Sequence, residues 1–397
     1  MSLCHPLTTV YTFQLPTKIL FGVDSVTRIG QEAKHLGGLN ALIVTDKNVE
    51  RVGLTEKMKG SLTAEGFKVH LFDKVNPEPD MKTAETTAQC AREGRYDLVV
   101  GVGGGSVLDM AKTASISITN TGNVRSYIGF EQVKEPGVPL ILIPTTAGTG
   151  SEVSNVVVVV MDDKVKMGIA SEKVVADVAI VDPKMTASVP PRTTASTGID
   201  ALSHAIEAYM SLASSKITDV FALEAIKLIA IALPLAYTNG ENLQARYDMS
   251  LGSLLAGIAL TNAGTCAGHP CSDAFIAKCG AAHGVGCGIA LPYIMDFNLM
   301  AIPDKLAMIA EAMGSNVSGL KPREAGVRAV IAVKELIEEL GLPSTLREMN
   351  VLKDELPNLA DQTLKTTYGV SSNPRRIAKE EMLNIYENMW TGKVSKY

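Results

Sequence analysis

Asp200, His204, His269 and His283 all fall between Gly198 and Gly284 of this 397-residue chain, a stretch that holds half of its six histidines. A carboxylate and imidazoles converging on one point make a site for a divalent first-row metal. Asp200 and His204 are four residues apart, so on a helix they project from one face. Ser196 or Thr197, just upstream, offers an N-cap for that helix. Spacing alone leaves a second reading open, in which Asp200 and His204 are a local helix pair and the other two are ordinary core or surface histidines. Cys266, Cys271, Cys279 and Cys287 crowd around His269 and His283. They lack a Cys-x2-Cys knuckle, so they read as small buried thiols rather than a structural zinc cluster.

A second group of residues has the chemistry of a phosphate cradle. Gly103-Gly104-Gly105-Ser106 follows the apolar run Asp97 to Val102 and opens a helical pattern through Lys112. Glycines at such a junction let backbone amides approach an anion, and the helix N-terminus adds positive partial charge. The alternative is a tight turn with no ligand. The polar loop Thr145-Thr146-Ala147-Gly148-Thr149-Gly150-Ser151 also leaves a strand end and offers Thr145, Thr146, Thr149 and Ser151 to the same ligand. Asp46 ends the apolar run Ala41 to Thr45, where its carboxylate can bond ribose hydroxyls and repel a 2′-phosphate. Its other reading is an N-cap for the following helix.

The elements that must carry these residues alternate. Strand-like runs at 41–45, 68–72, 97–102, 139–143, 156–160 and 178–181 are separated in the first half by helical patterns at 24–36, 49–64 and 81–95. Such alternation predicts a parallel sheet covered on both faces, with ligands at the carboxyl ends of the strands. Residues 9–22 read as extended segments with a turn. After Pro190-Pro191 the pattern is nearly all helical, which places a boundary near Val189 to Arg192.

Bulk properties limit the functional classes. The chain is 46% hydrophobic and 20% charged with net charge −5, ordinary for a folded protein of two or three domains. It has no basic block, so nothing electrostatic favours nucleic acid or an anionic membrane. The longest apolar run, Ala225 to Tyr237, is interrupted by Lys227 and Pro234 and reads as too short for a membrane span. Met1 to Pro16 lacks the pattern of a signal peptide, and the sparse cysteines fit a reduced compartment, so a cytoplasmic protein is expected.

With these pieces placed, the chain resembles the iron-containing (group III) alcohol dehydrogenases along nearly its whole length. The motifs are Phe21-Gly22, Val44-Thr45-Asp46, Gly103-Gly104-Gly105-Ser106-x2-Asp109-x2-Lys112 and Pro144-Thr145-Thr146-Ala147-Gly148-Thr149-Gly150-Ser151-Glu152. Lys166, Gly198-Ile199-Asp200-Ala201-x2-His204-x2-Glu207, His283-Gly284 and Asn373-Pro374-Arg375 complete them. The resemblance implies a Rossmann-like α/β nucleotide domain over residues 1–190 and an all-α metal-binding domain over residues 191–397, the dehydroquinate synthase-like architecture. It implies that metal and nicotinamide meet in the cleft between them. It makes Asp200, His204, His269 and His283 the metal ligands, usually of Fe²⁺ with Zn²⁺ possible, and adds Asp109 and Lys166 to the nucleotide set. It further implies NAD(H), a small alcohol or aldehyde substrate and a homodimer. Where the family pattern has a second histidine after His269, beside the substrate, this chain has Asp273, and Pro270 follows His269 directly, which disfavours helical geometry there.

The expected chemistry is hydride transfer between an alcohol carbon and the nicotinamide, with the metal as Lewis acid and Asp273 as an auxiliary base. A zinc polyol dehydrogenase, a hydroxyacid–oxoacid transhydrogenase and a non-catalytic nucleotide-binding scaffold stand as alternatives on the same architecture. A dehydroquinate synthase-type lyase needs a pocket rich in Arg and Lys, and residues 198–290 hold a single arginine, Arg246.

Overall fold

Runs of β-branched and aliphatic residues become buried parallel strands. The structure is a computed structural model that describes residues 9–162, 165–366 and 368–395; His5 and the start of the Met1–Pro16 segment lie outside them. In chain order the strands are β1 (Lys18–Phe21), β2 (Asn40–Val44), β3 (Lys68–Phe72), β4 (Leu98–Gly103), β5 (Gly129–Phe130), β6 (Leu140–Pro144), β7 (Val156–Val160), β8 (Lys166–Ala170) and β9 (Val178–Val181). Six of them form a parallel sheet in the order β1-β9-β6-β4-β2-β3. Successive residues alternate between its faces. Leu42, Val44, Val99, Leu140 and Leu142 enter one core with the helices Met81–Gly94 and Gly105–Thr119. Ala41, Ile43, Val100, Val102, Ile141 and Ile143 enter the other with Ile29–Leu36 and Leu54–Ala64. Both faces are therefore dry, which is why these strands read as continuous apolar runs.

Two local expectations are corrected. The run at 156–160 is a strand but leaves the parallel sheet, because β7 pairs antiparallel with β8 in a separate three-stranded sheet of order β5-β8-β7. The helical pattern at 49–64 is two helices, Lys47–Arg51 and Leu54–Ala64, split by Gly53 at φ 79°, a left-handed conformation that glycine adopts without steric cost.

Compactness divides the chain into two units: Leu15–Val189 with Glu241–Ser250, and Met1–Gln14 with Pro190–Gly240 and Leu251–Tyr397. Division at residues 190 and 191 does not anticipate the two displaced segments, which side-chain contacts explain. Arg246 donates to the Val189 carbonyl at 3.1 Å, and Tyr247 packs edge-on against Phe21. Gln14 exchanges two hydrogen bonds with the Asn262 amide, and Phe13 stacks on Phe221.

The second unit is helical. Its helices are Pro191–Met210, Lys216–Thr238, most of Leu243–Ala263, Gly268–Cys279, His283–Asn298, Pro303–Ala312, Pro322–Glu339, Leu356–Lys365 and Lys379–Thr391. Lys216–Thr238 is longer than the apolar run within it, because Ser215 and Thr218 form a capping box well upstream of Ala225. Among the described residues this is one helix long and apolar enough to cross a membrane, by length and composition. Its stripe Ala222, Ala225, Ile226, Ile229, Leu233 and Ala236 is buried inside the unit.

Candidate functional site

Asp200 and His204 sit mid-way along Pro191–Met210 on one face, with His204 Nε2 4.0 Å from Asp200 Oδ1. Neither Ser196 nor Thr197 caps this helix. It begins earlier, at Pro191, whose missing N–H needs no partner in a first turn, and the Thr197 hydroxyl bonds back to the Thr193 carbonyl at 2.9 Å. His269 arrives from Gly268–Cys279, its Nε2 4.0 Å from the same Oδ1. Here too the expectation is corrected, because His269 is helical despite Pro270, which falls in the first turn where its lost N–H would have had no intrahelical acceptor. His283 opens His283–Asn298 with Nε2 3.7 Å from Oδ1. The His204 and His269 rings stack with centroids 4.7 Å apart.

Three imidazole nitrogens thus surround one carboxylate oxygen. Asp200 Oδ1 and His269 Nε2 are both buried without a hydrogen-bond partner. Leaving such groups unsatisfied costs about 1–3 kcal/mol each, and a divalent ion among them would satisfy both. Burial alone would push the Asp200 carboxyl up, but the charges of His204, His283 and His269 together hold it below the ordinary range. The donor chemistry, one carboxylate oxygen and three imidazole nitrogens, fits Fe²⁺ or Zn²⁺.

Two carboxylates back the histidines. Glu207 is fully buried one turn beyond His204, and its Oε1 lies 2.6 Å from His269 Nδ1. Its Oε2 accepts from the backbone N–H groups of Cys266, Gly268 and His269 at 2.9, 3.1 and 3.4 Å. A side chain at Gly268 would meet Oε1 at 2.6 Å, so only glycine lets the loop close on this carboxylate. Asp273 Oδ1 lies 3.6 Å from His283 Nδ1, while the Tyr368 hydroxyl donates to Asp273 Oδ2. Asp273 therefore faces the histidine cluster, as its spacing from His269 predicted. Glu207 lies within the Gly198–Glu207 motif, and its signal in the sequence is the stripe Asp200, His204 and Glu207 at i, i+4 and i+7. Tyr368 carries no local signal in the sequence. Cys287, set aside as a buried thiol, has its Sγ 3.6 Å from His283 Nε2.

Glycines let the helices approach this closely. A Cβ at Gly284 would lie 2.0 Å from the Ser196 carbonyl oxygen, at Gly286 2.4 Å from Ser272 Oγ, and at Gly288 2.7 Å from an Ile199 methyl.

In the α/β unit the two polar loops lie side by side, because β4 pairs β6 with Gly103 opposite Pro144 and Thr145 N–H bonds the Gly103 carbonyl. Gly103 and Gly105 are small for want of space rather than for unusual backbone angles, whereas Gly104 has room for a side chain. A Cβ at Gly105 would meet Thr149 at 2.5 Å, and one at Gly104 would meet Thr146 Oγ1 at 3.4 Å. No side chain caps Gly105–Thr119, and the Val107 and Leu108 N–H groups bond the Gly104 carbonyl. Ser106 Oγ accepts from Glu78 N–H, and Lys166 reaches Glu78 Oε1 at 3.6 Å. Thr149 Oγ1 accepts from Ser151 N–H at 3.2 Å.

Asp109 is buried with both carboxylate oxygens used inside the protein, one by Ser151 Oγ at 2.7 Å and the other by Val158 N–H at 2.8 Å. It pins the second loop. Burial pushes its carboxyl up against the opposing Lys112 charge. Lys112 spends its three donors on Ser154 O, Ser154 Oγ and Val156 O. Burial drops the Lys112 amine to about 8 and lifts the neighbouring Glu152 carboxyl to about 7. Asp46 adopts its other reading as N-cap of Lys47–Arg51, and both capping bonds go to Oδ1.

Residues 16–183 match the family Iron-containing alcohol dehydrogenase, and residues 194–390 match its C-terminal counterpart, Fe-containing alcohol dehydrogenase family, C-terminal. The chain belongs to the iron-containing alcohol dehydrogenase family. Among its relatives, Long-chain-alcohol dehydrogenase 1 of Geobacillus thermodenitrificans is 38% identical over 376 residues, covering 94% of this chain and 95% of that protein. The NAD-dependent methanol dehydrogenase of Bacillus methanolicus is 36% identical over 377 residues, with 95% and 99% covered. The crystal structure of a 1,3-propanediol oxidoreductase superposes with a TM-score of 0.93 at 36% identity, covering 96% of this chain and all of that one (100%). The α/β unit and the helical unit are the fold of this family.

Proposed function

We propose that the protein transfers a hydride between a small primary alcohol or its aldehyde and NAD(H), with a divalent ion, Fe²⁺ or Zn²⁺, held by Asp200, His204, His269 and His283. The observation that carries the reading is the convergence of three histidine Nε2 atoms within 4.0 Å of a buried, unpartnered Asp200 oxygen. When bound, the ion supplies Lewis-acid polarisation of a substrate oxygen, and the nicotinamide supplies or takes the hydride.

The chain's own residues prepare for this. Glu207 accepts the Nδ1 proton of His269 and so leaves Nε2 as a lone-pair donor. The amides of Gly104, Gly105 and Ser106, with Thr145, Thr146, Thr149 and Ser151, line a cradle for the dinucleotide phosphates. Asp109 and Lys112 act behind that cradle by fixing its loops, and Asp46 Oδ2 is placed to select a ribose without a 2′-phosphate. Similarity to the NAD-dependent methanol dehydrogenase of Bacillus methanolicus supports NAD. Asp273 carries a proton to or from the substrate, linked outward through the Tyr368 hydroxyl. Its negative charge beside the histidines favours neutral alcohols over hydroxy acids.

The test is NADH oxidation against a panel of short aldehydes after anaerobic Fe²⁺ loading. Activity that needs the ion, together with loss of both ion and activity in His269→Ala, is expected. Equal metal content in wild type and His269→Ala overturns the site. Asp273→Asn is expected to keep the ion and lower the rate of alcohol oxidation with an altered pH profile; unchanged rates across pH remove Asp273 from the proton path.

A further inference from the structure

We propose that Cys287 supplies a thiolate donor to the bound ion, which makes this a mixed nitrogen, oxygen and sulfur centre. The inference rests on the metal site proposed above and concerns its composition. Asp200, His269, His283 and Cys287 each offer one ligand atom, and these four atoms all lie within 4.8 Å of one another. Cys287 Sγ is 3.6 Å from His283 Nε2. A sulfur at about 2.3 Å and a nitrogen at about 2.0–2.1 Å from one ion stand about 3.1–3.8 Å apart when the angle between the two bonds is about 90–120°. The separation is therefore that of two donors sharing an ion.

The thiol has little else to do. It is fully buried, and apart from Asp200 and the histidines of the cluster it meets Ser272 Oγ at 3.6 Å, a weak contact for sulfur. Its place repeats the logic of the neighbouring helix. Asp200 and His204 are one i, i+4 pair, and His283 and Cys287 are another. The Gly284 and Gly288 contacts press the second pair against the first, with Asp200 Cβ 3.0 Å from where a Gly284 side chain would start. On binding, a sulfur–metal bond forms and the S–H proton leaves to solvent. A thiolate is softer than imidazole or carboxylate, so it raises the preference for Zn²⁺ or Co²⁺ over Fe²⁺ and donates charge that moderates Lewis acidity.

The experiment loads metal-free protein with Co²⁺ under anaerobic conditions and records stoichiometry and the electronic spectrum. Wild type is expected to bind one equivalent and show a thiolate-to-cobalt charge-transfer band in the near ultraviolet. Cys287→Ser, which preserves packing, is expected to keep the stoichiometry, lose the band and bind Zn²⁺ at least about tenfold more weakly in chelator competition, the loss already typical of an outer-shell partner. Cys287→Ala is expected to behave alike, and the wild-type spectrum is informative even if neither variant folds. One equivalent of Co²⁺ without the band, or a band that survives in Cys287→Ser, overturns the role of Cys287 and leaves the metal site standing. Wild type that takes up no Co²⁺ overturns both.

Discussion

Glu207→Gln isolates how the protein sets the chemistry of His269. The substitution keeps shape and volume. Three backbone N–H groups point at Oε2, and the His269 ring meets Oε1 at 2.6 Å. Glutamine must give its one oxygen to the three N–H groups, since turning round would leave three buried donors facing an NH₂ group at about 1–3 kcal/mol each. Its NH₂ then faces His269 Nδ1. That nitrogen must become the acceptor, which sends the ring proton to Nε2, the atom that should hold the ion. Loss of such an outer-shell partner weakens metal binding about 10–100-fold, or about 1.4–2.7 kcal/mol. Chelator competition with Zn²⁺ reads the affinity, and thermal melting of the metal-free protein reads the fold. We expect affinity to fall in that range while the metal-free melting temperature stays close to wild type. Affinity within twofold of wild type refutes the reasoning, because His269 would then not bind through an Nε2 fixed by Glu207.

Three further outcomes follow from the geometry. Gly284→Ala forces a methyl onto the Ser196 carbonyl and should cost about 1–3 kcal/mol or more together with metal stoichiometry, whereas Gly60→Ala, with nothing within 4 Å on the exposed face of its helix, should gain up to about 1 kcal/mol in denaturant unfolding. Glu152, raised by burial from 4.5 to about 7, holds its proton in the folded state; its stabilisation is full below pH 4.5 and is lost as pH rises through 7. Wild type should therefore lose up to roughly 3 kcal/mol relative to Glu152→Gln over that window, and parallel pH profiles would refute this. Lys112, at about 8, titrates above the window. Asp46→Asn keeps the helix cap and removes the charge, so the NADH over NADPH preference should narrow without loss of stability; an unchanged ratio of kcat/KM returns Asp46 to capping alone.

Much of the fold was legible because burial on both faces leaves a simple trace. The strands β2, β4, β6 and β9 are short apolar runs, β3 (Lys-Val-His-Leu-Phe) is a half-buried edge strand, and the sequence boundaries of all five lie within a residue or two of the observed ones. β8 was not legible: Lys-Met-Gly-Ile-Ala has a single β-branched residue, and its pairing with β7 comes from a contact rather than from propensity. In the candidate site, Asp200 and His204 were legible from helical spacing and the other two histidines only through motif order. Cys287 was invisible for the same reason. Its chemistry depends on three helices meeting, and no periodicity along one helix reports that.

The helix His283–Asn298 shows where local rules and tertiary demands part. It carries Gly284, Gly286 and Gly288 in its first two turns and Pro292 inside. Each glycine costs about 1 kcal/mol of helix propensity relative to alanine, so about 3 kcal/mol is forgone in six residues. The contacts say what that cost secures. The three missing side chains would have struck three different groups: the Ser196 backbone, the Ser272 hydroxyl and the Ile199 methyl. Two of these lie on the Asp200 helix and one on the His269 helix. A helix built for propensity would therefore stand off from both neighbours and carry His283 and Cys287 away from Asp200. The segment that is locally least helical is the one that closes the site, which is where a chain that obeys local preference elsewhere is expected to break it.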